Sequence, residues 1–286
     1  MIQQQVPNIG EVVLHHTADA WSIDFYPFGT IHLPRWPDIH IGSLVVNLSP
    51  TKHVYFLFIA AILVFLTMYI AGRMMKQQRA FEAAPKGFAG AVEAMVLFVR
   101  NDIAIANIGH DGAKFAPFIM TLFFFILYSN LLGLFPWGAS PTGNLAVTAA
   151  LAIVVFLTVE ISGMIKLGPT GYLHTIFPKV PGLEGVGGVA MSVAMAPIEI
   201  ISKLVKPFAL AVRLFGNMVA GHFVILSLFG IIFLFGSLQG WNWVIGLVTA
   251  MLVLAIMMLE LFVAFLQAYV FALLSSVFIG LMQQEH

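Results

Sequence analysis

VAMSVAMAPIEIISKLVKPFALAVRLFGNMVAGHFVILSLFGIIFLF, Val189 to Phe235, is apolar for far longer than a single crossing requires, and it carries an arginine in its middle. No other formal charge follows Arg213 until Glu260. A guanidinium at a bilayer centre costs roughly 2.5 to 3.5 kcal/mol and cannot shed its proton, so it needs an anion, water or carbonyls. A polar, glycine-flanked break, Ser237 to Trp243, separates this stretch from a second apolar run to Met282, and the two read as a long helical hairpin with arms 189–236 and 243–282. Each arm spans roughly 60 Å as helix against a hydrocarbon core near 30 Å. The arms must therefore tilt strongly, bend or break, and Pro197 and Pro207 offer two places for a bend.

Outward from the hairpin the same logic holds. Three more spans are expected at 54–72, 115–135 and 145–165, the last two joined by the turn-forming PWGASPTGN, Pro136 to Asn144. Sixty percent of the 286 residues are apolar and 9% are charged, and the mean hydropathy is +0.97. The chain is thus expected to be an all-α polytopic membrane protein with about five crossings, residues 53–286 forming one membrane domain in the lipid bilayer. Thirteen basic residues balance 13 acidic ones, which argues against a nucleic-acid partner, and the absence of cysteine rules out disulfides.

Basic residues orient the spans. Arg73, Lys76, Arg79, Lys86, Arg100, Lys114, Lys166 and Lys179 fall on one side, and Arg35 and Lys52 on the other. The richer side should be cytoplasmic, leaving residues 1–52 outside and the C-terminus inside. The N-terminus lacks the basic start and short apolar core of a secretory signal, so insertion is expected to rely on the internal spans. Residues 88–108 put Val92, Met95, Val99, Ile103 and Ala106 on one face and Glu93, Arg100 and Asn107 opposite, the pattern of an amphipathic helix lying along the interface. The outer segment reads as short extended pieces interrupted by proline. Its His15, His16, His32 and His40 stand among Asp19, Asp24 and Asp38 without ligand spacing, so no metal is expected.

At about 100° per residue, Glu199, Ser202, Lys206, Arg213 and Asn217 share a sector of roughly 60° on the first arm. The rise puts Glu199 about 21 Å from Arg213, long enough for the stripe to line a hydrated path from the cytoplasm. The other reading pairs Glu199 with Lys203 or Lys206 at helical spacing near the interface. On the second arm Glu260 is a buried acid, with Gln267 one heptad later on the same face. His222 and Glu260 lie at similar distances along the chain from Gly240, so a closed hairpin brings them near each other. Such a pair suits proton transfer, since imidazole titrates near 6.5, or serves structure alone; Gln267 likewise lines the path or ties helices together. Asn130, Ser140, Thr142 and Asn144 gather at the outer ends of the second and third spans. Glu160, toward the inner end of the third, has no assigned role.

These residues resemble subunit a of the F-type ATP synthase. RLFGNMVAGH, Arg213 to His222, is similar to the family's signature around its essential arginine, with Glu199, Lys206 and Pro207 at the family's spacing before it. FLQAYVF, Phe265 to Phe271, looks like the second signature, and the terminal Glu285–His286 resembles many bacterial members. The resemblance runs from about Val54 to the C-terminus and is loose over the first 50 residues. Two departures stand out. Many bacterial relatives carry an acid at the position of His222 and a histidine at that of Glu260, the reverse of this chain; and where some relatives have an aspartate three residues past Asn130, this chain has Gly133.

The resemblance implies a stator subunit in a bacterial plasma membrane, beside a rotating c-ring whose subunits each bring one carboxylate past Arg213, with subunit b of the peripheral stalk and the remaining ATP synthase subunits as further partners. It implies a proton path from outside past Asn144, Ser140, Asn130, His222, Glu260, Gln267 and Asn217, and inward along Glu199, Ser202 and Lys206. No cofactor and no catalytic site of the chain's own are implied. An ion-coupled secondary transporter is the alternative, but it predicts repeated halves, and no second copy of the Arg213 region is present. HExxH and GxxxxGK are also absent, so a zinc protease or direct ATP chemistry lacks its residues.

Overall fold

A computed structural model describes residues 19–25, 29–41, 44–47, 49–80, 86–135, 138–177, 185–235 and 242–284. His15, His16, Lys179, Pro136 and Trp137 of the second-to-third-span turn, Ser237 to Trp241 of the hairpin tip, and Glu285–His286 lie outside these. Among the described residues, short strands β1 (Ser22–Phe25), β2 (Gly29–His32), β3 (Ile39–Ile41) and β4 (Leu44–Val46) precede six longer helices. The helices are α1 (Lys52–Ala80), α2 (Gly87–Phe98), α3 (Gly112–Gly133), α4 (Leu145–Ile176), α5 (Val186–Phe235) and α6 (Asn242–Gln284). All but α2 are long and apolar enough to cross a membrane, five in total. The protein is multi-pass and all-α in its membrane part, as expected.

Of tilting, bending or breaking, the two hairpin arms do not break. α5 runs unbroken for 50 residues with Pro197 and Pro207 inside it, and α6 for 43. The third span differs more. Its helix passes Ile165, turns at Gly168 with φ 69° just before Pro169, and resumes as helix to Ile176. Glycine allows that left-handed turn, and proline, with no amide hydrogen to donate, starts the next helical segment without loss.

The described residues fall into two compact units. The first comprises those up to Phe65, then Phe125–Asn144 and Phe215–Gln267. Here β1 pairs antiparallel with β2, Ser22 opposite His32, and β3 with β4, Ile39 opposite Val46. The Lys52 amide donates to the Ala20 carbonyl at 3.0 Å, joining the strand region to the start of α1. Ile126, Leu127, Met218, Val253 and Ala264 supply the apolar core, with Ser129 and Asn130 fully buried among them.

The second unit comprises Leu66–Phe124, Leu145–Leu214 and the residues from Ala268 on. Past Phe98, helix α2 widens into a π-helical stretch, Val99–Ile105, and returns to α geometry over Ala106–Ile108. This corrects the expected amphipathic face. Widening turns the residues that follow it, so Ala104 and Ile108 are buried with Val92, Val99 and Ile103, while Ala106 is exposed. The Ile103 carbonyl accepts from the Asn107 amide at 2.7 Å and from the Ser276 hydroxyl on α6 at 2.8 Å. Phe98 stacks on Tyr269, centroids 5.9 Å apart. In the turn before α3, hydrogen bonds from Lys114 and then Lys166 hold the Asp111 carboxyl down to about 2.

Candidate functional site

In the first unit a chain of polar side chains links four segments that are distant in sequence. Asn130 sits near the end of α3 and donates from Nδ2 to the Ala264 carbonyl of α6 at 3.2 Å. Its Oδ1 accepts from Thr142 at 2.6 Å. Thr142 lies 2.6 Å from the Ser140 hydroxyl, which also reaches the Ser129 carbonyl at 3.1 Å. The Ser140 carbonyl meets His53 Nδ1 at 3.0 Å, and His53 Nε2 lies 3.9 Å from the Asp19 carboxylate. Asn144 closes the series, donating to the other Asp19 oxygen at 3.0 Å. A buried apolar setting favours hydrogen bonds and makes unpaired groups costly, so a run of this kind forms only when most members are satisfied.

His222 adjoins this network, and Glu260 packs on the residue before it. A Cβ at Gly133 would lie 2.6 Å from the Ser140 Cβ and 3.1 Å from His222 Nε2, so the imidazole and the serine occupy the space beside that glycine. The Glu260 carboxylate packs so closely on Gly221 that any side chain there would strike it. Glu260 Oε2 is buried without a hydrogen-bond partner among the described residues. The sequence places His222 and Glu260 together; the structure sets the acid against the residue next to the histidine, with no ion pair between them among the described residues. Asn217 donates to Gln267 Oε1 at 2.7 Å, joining α5 to α6.

The second unit holds the remaining sites. Glu199 and Lys206 line a cavity of about 60 Å³ together with Glu160, Lys203 and Phe278, room for a few waters. Lys203 does not pair with Glu199 at helical spacing. It lies 3.7 Å from Glu160. Ser202 is half-buried on α5. Arg213 is exposed, next to the exposed Val212 in α5, and has no acid partner among the described residues.

Several participants carry no clear mark in the sequence. His53 and Asp19 are linked to Asn144 and Ser140 only by the fold, and the helical segment after Gly168 carries Tyr172 to Glu160 and Thr175 to Lys203. Among the described residues no group of three or more His, Cys, Asp or Glu could hold a metal ion.

The ATP synthase A chain family matches residues 53–280, most of the chain and all five long helices. The chain belongs to the ATP synthase subunit a family. It is 44% identical over 268 residues to ATP synthase subunit a of Chloroherpeton thalassium, covering 94% of this chain and 75% of that protein. ATP synthase subunit a 2 of Chlorobaculum tepidum is 43% identical, over 95% of this chain and 72% of its own length. ATP synthase subunit a of Myxococcus xanthus is 44% identical, over 89% and 79%. At Gly133, Ser140 and His222 fill the space that a side chain would need.

Proposed function

We propose that this chain is the stator subunit a of a proton-driven ATP synthase, carrying two offset half-channels against a rotating ring of c subunits. One observation carries the reading: Arg213 stands exposed on an apolar surface with no acid partner among the described residues. Lipid is a poor neighbour for a guanidinium, whereas a membrane carboxylate on a passing ring subunit satisfies it. The fixed charge favours the ionised form of each carboxylate as it arrives and bars direct flow between the half-channels.

The first unit supplies the outer half-channel. Protons pass from Asp19 and His53 by way of Ser140, Thr142, Asn130 and Asn144 to His222 and Glu260, then along Gln267 and Asn217. The second unit supplies the inner one, along Glu199 and Ser202 with Lys206 beside them. One charge crossing 100 mV gains about 2.3 kcal/mol, so several crossings are needed for each ATP. The chain sits in a bacterial plasma membrane with its N-terminus outside and its C-terminus in the cytoplasm, joined by subunit b and the other ATP synthase subunits. It needs no cofactor and performs no bond chemistry of its own. The transporter alternative is set aside by the family match.

Purification from solubilised membranes tests the assignment. The tagged chain should bring down a ring of hairpin subunits and the soluble ATPase subunits, and ATP hydrolysis by the complex at neutral pH should be indifferent to sodium. Isolation without a ring overturns the stator role, and stimulation by sodium overturns the choice of ion.

Gly221 tests the seat of Glu260. Because the clash is with the end of a flexible side chain, Gly221→Ala should assemble normally yet displace the carboxylate and slow ATP-driven pumping by about tenfold. Adding Glu260→Asp, shorter by one methylene, should recover part of the rate. Pumping at the parent rate in Gly221→Ala would show that the position of Glu260 does not matter.

A further inference from the structure

The second unit contains an acid that the path above does not use. Glu160 on α4 is 12% exposed at its side chain and lies 3.7 Å from Lys203 Nζ. It also accepts the hydroxyl hydrogen bond of Tyr172. Lys203 is held in three ways at once. Besides Glu160, its ammonium donates to Thr175 Oγ1 at 2.8 Å and lies over the Tyr172 ring, 4.7 Å from the centroid. Tyr172 and Thr175 are available because α4 resumes after Gly168.

The consequence falls on Glu199. It precedes Lys203 by four residues on α5, the spacing and order in which glutamate and lysine pair best on a helix. That partner is drawn away toward α4, and Glu199 has no ion pair or hydrogen bond among the described residues. The charged groups around the cavity are Glu160 from α4 and Glu199, Lys203 and Lys206 from α5, while α6 contributes only Phe278, Leu281 and Met282. Lys206 lies 5.6 Å from the Phe278 ring centroid, directed toward α6.

A carboxylate beside a fixed ammonium is held ionised and releases its proton without readily regaining it. A relay carboxylate must do both. The geometry points to Glu160 as a positioning residue that captures Lys203 away from Glu199 and so leaves Glu199 free to exchange its proton with water in the inner cavity. The inference rests on Glu199 being part of the inner half-channel.

The test is ATP-driven pumping by the intact complex in vesicles, with Glu199→Gln, Glu160→Gln, Lys203→Gln and the Glu160→Gln/Lys203→Gln pair. Glu160→Gln should slow pumping about fivefold, equivalent to ~1 kcal/mol when a tenfold change is about 1.36 kcal/mol, as the released lysine turns to Glu199. Removing the lysine as well should restore the parent rate, and Lys203→Gln alone should match it. A structural pair predicts the opposite, a double variant at least as slow as the single one, and that result overturns the proposal. So does parent-rate pumping in Glu160→Gln. Parent-rate pumping in Glu199→Gln instead removes the inner-channel role beneath it, whereas a slow Glu199→Gln without rescue in the pair sinks the Lys203 mechanism alone. If Glu160→Gln fails to assemble, Thr175→Val removes another hold on Lys203 and should slow pumping in the same sense; parent-rate pumping there overturns the proposal.

Discussion

Arg213→Ala should abolish ATP-driven proton pumping and ATP synthesis in vesicles while the complex still assembles. Assembly survives because the side chain is exposed and makes no ion pair among the described residues, whereas its neighbours Leu210, Ala211 and Leu214 carry the packing of this part of α5. On the proposed function the loss should be complete, because two tasks then depend on one charge. Without the guanidinium, a ring carboxylate meets an apolar surface and stays protonated, since desolvation favours the neutral acid. Rotation then carries no released proton. The second task is the barrier between the half-channels, and its removal should appear as passive proton leak through the membrane sector. Arg213→Lys should remain strongly impaired, because an ammonium offers a point charge without the planar fork and deprotonates more readily when buried. Coupled pumping at the parent rate in Arg213→Ala would refute the role.

The long apolar runs made the spans legible, since a bilayer crossing demands about 20 apolar residues and little else in a chain of this size shows them. The lone arginine and the half-buried Glu260 stand out for the same reason: a charge inside such a run is costly. What escaped the sequence depends on local geometry. The third span is expected to end at 165, yet helix resumes after Gly168 and carries Tyr172 and Thr175 to Lys203. The π-helical stretch at Val99–Ile105 changes the periodicity on which the amphipathic face was drawn, so Ala106 falls outside it. His53 sits at the start of α1 next to Lys52, and only folding brings Asp19 and the Ser140 carbonyl to it. The i to i+4 rule offered Glu199 to Lys203, and a partner from another helix took its place.

Glu260→Gln should slow pumping by about a hundredfold, at the lower end of the range for a positioned proton-transfer group. The amide keeps the size of the side chain, so the packing on Gly221 is preserved and only the exchangeable proton is lost. Leaving a buried acceptor unpaired costs roughly 1 to 3 kcal/mol, and Glu260 Oε2 is such an acceptor among the described residues. A purely structural acid would be expected to have its oxygens satisfied; the Glu260 carboxylate makes no hydrogen bond or ion pair among the described residues, which suits a group that hands protons on. His222 is the residue after Gly221 and borders the space beside Gly133 and Ser140, a member of the polar chain from Asp19. The exchange of His222→Glu with Glu260→His should therefore restore part of the rate lost in either single variant, because it keeps one acid and one imidazole between the same polar neighbours. Undiminished proton flux in Glu260→Gln would make the pair structural, and a double exchange no faster than the single variants would show that the order of the two groups, not their presence, sets the rate.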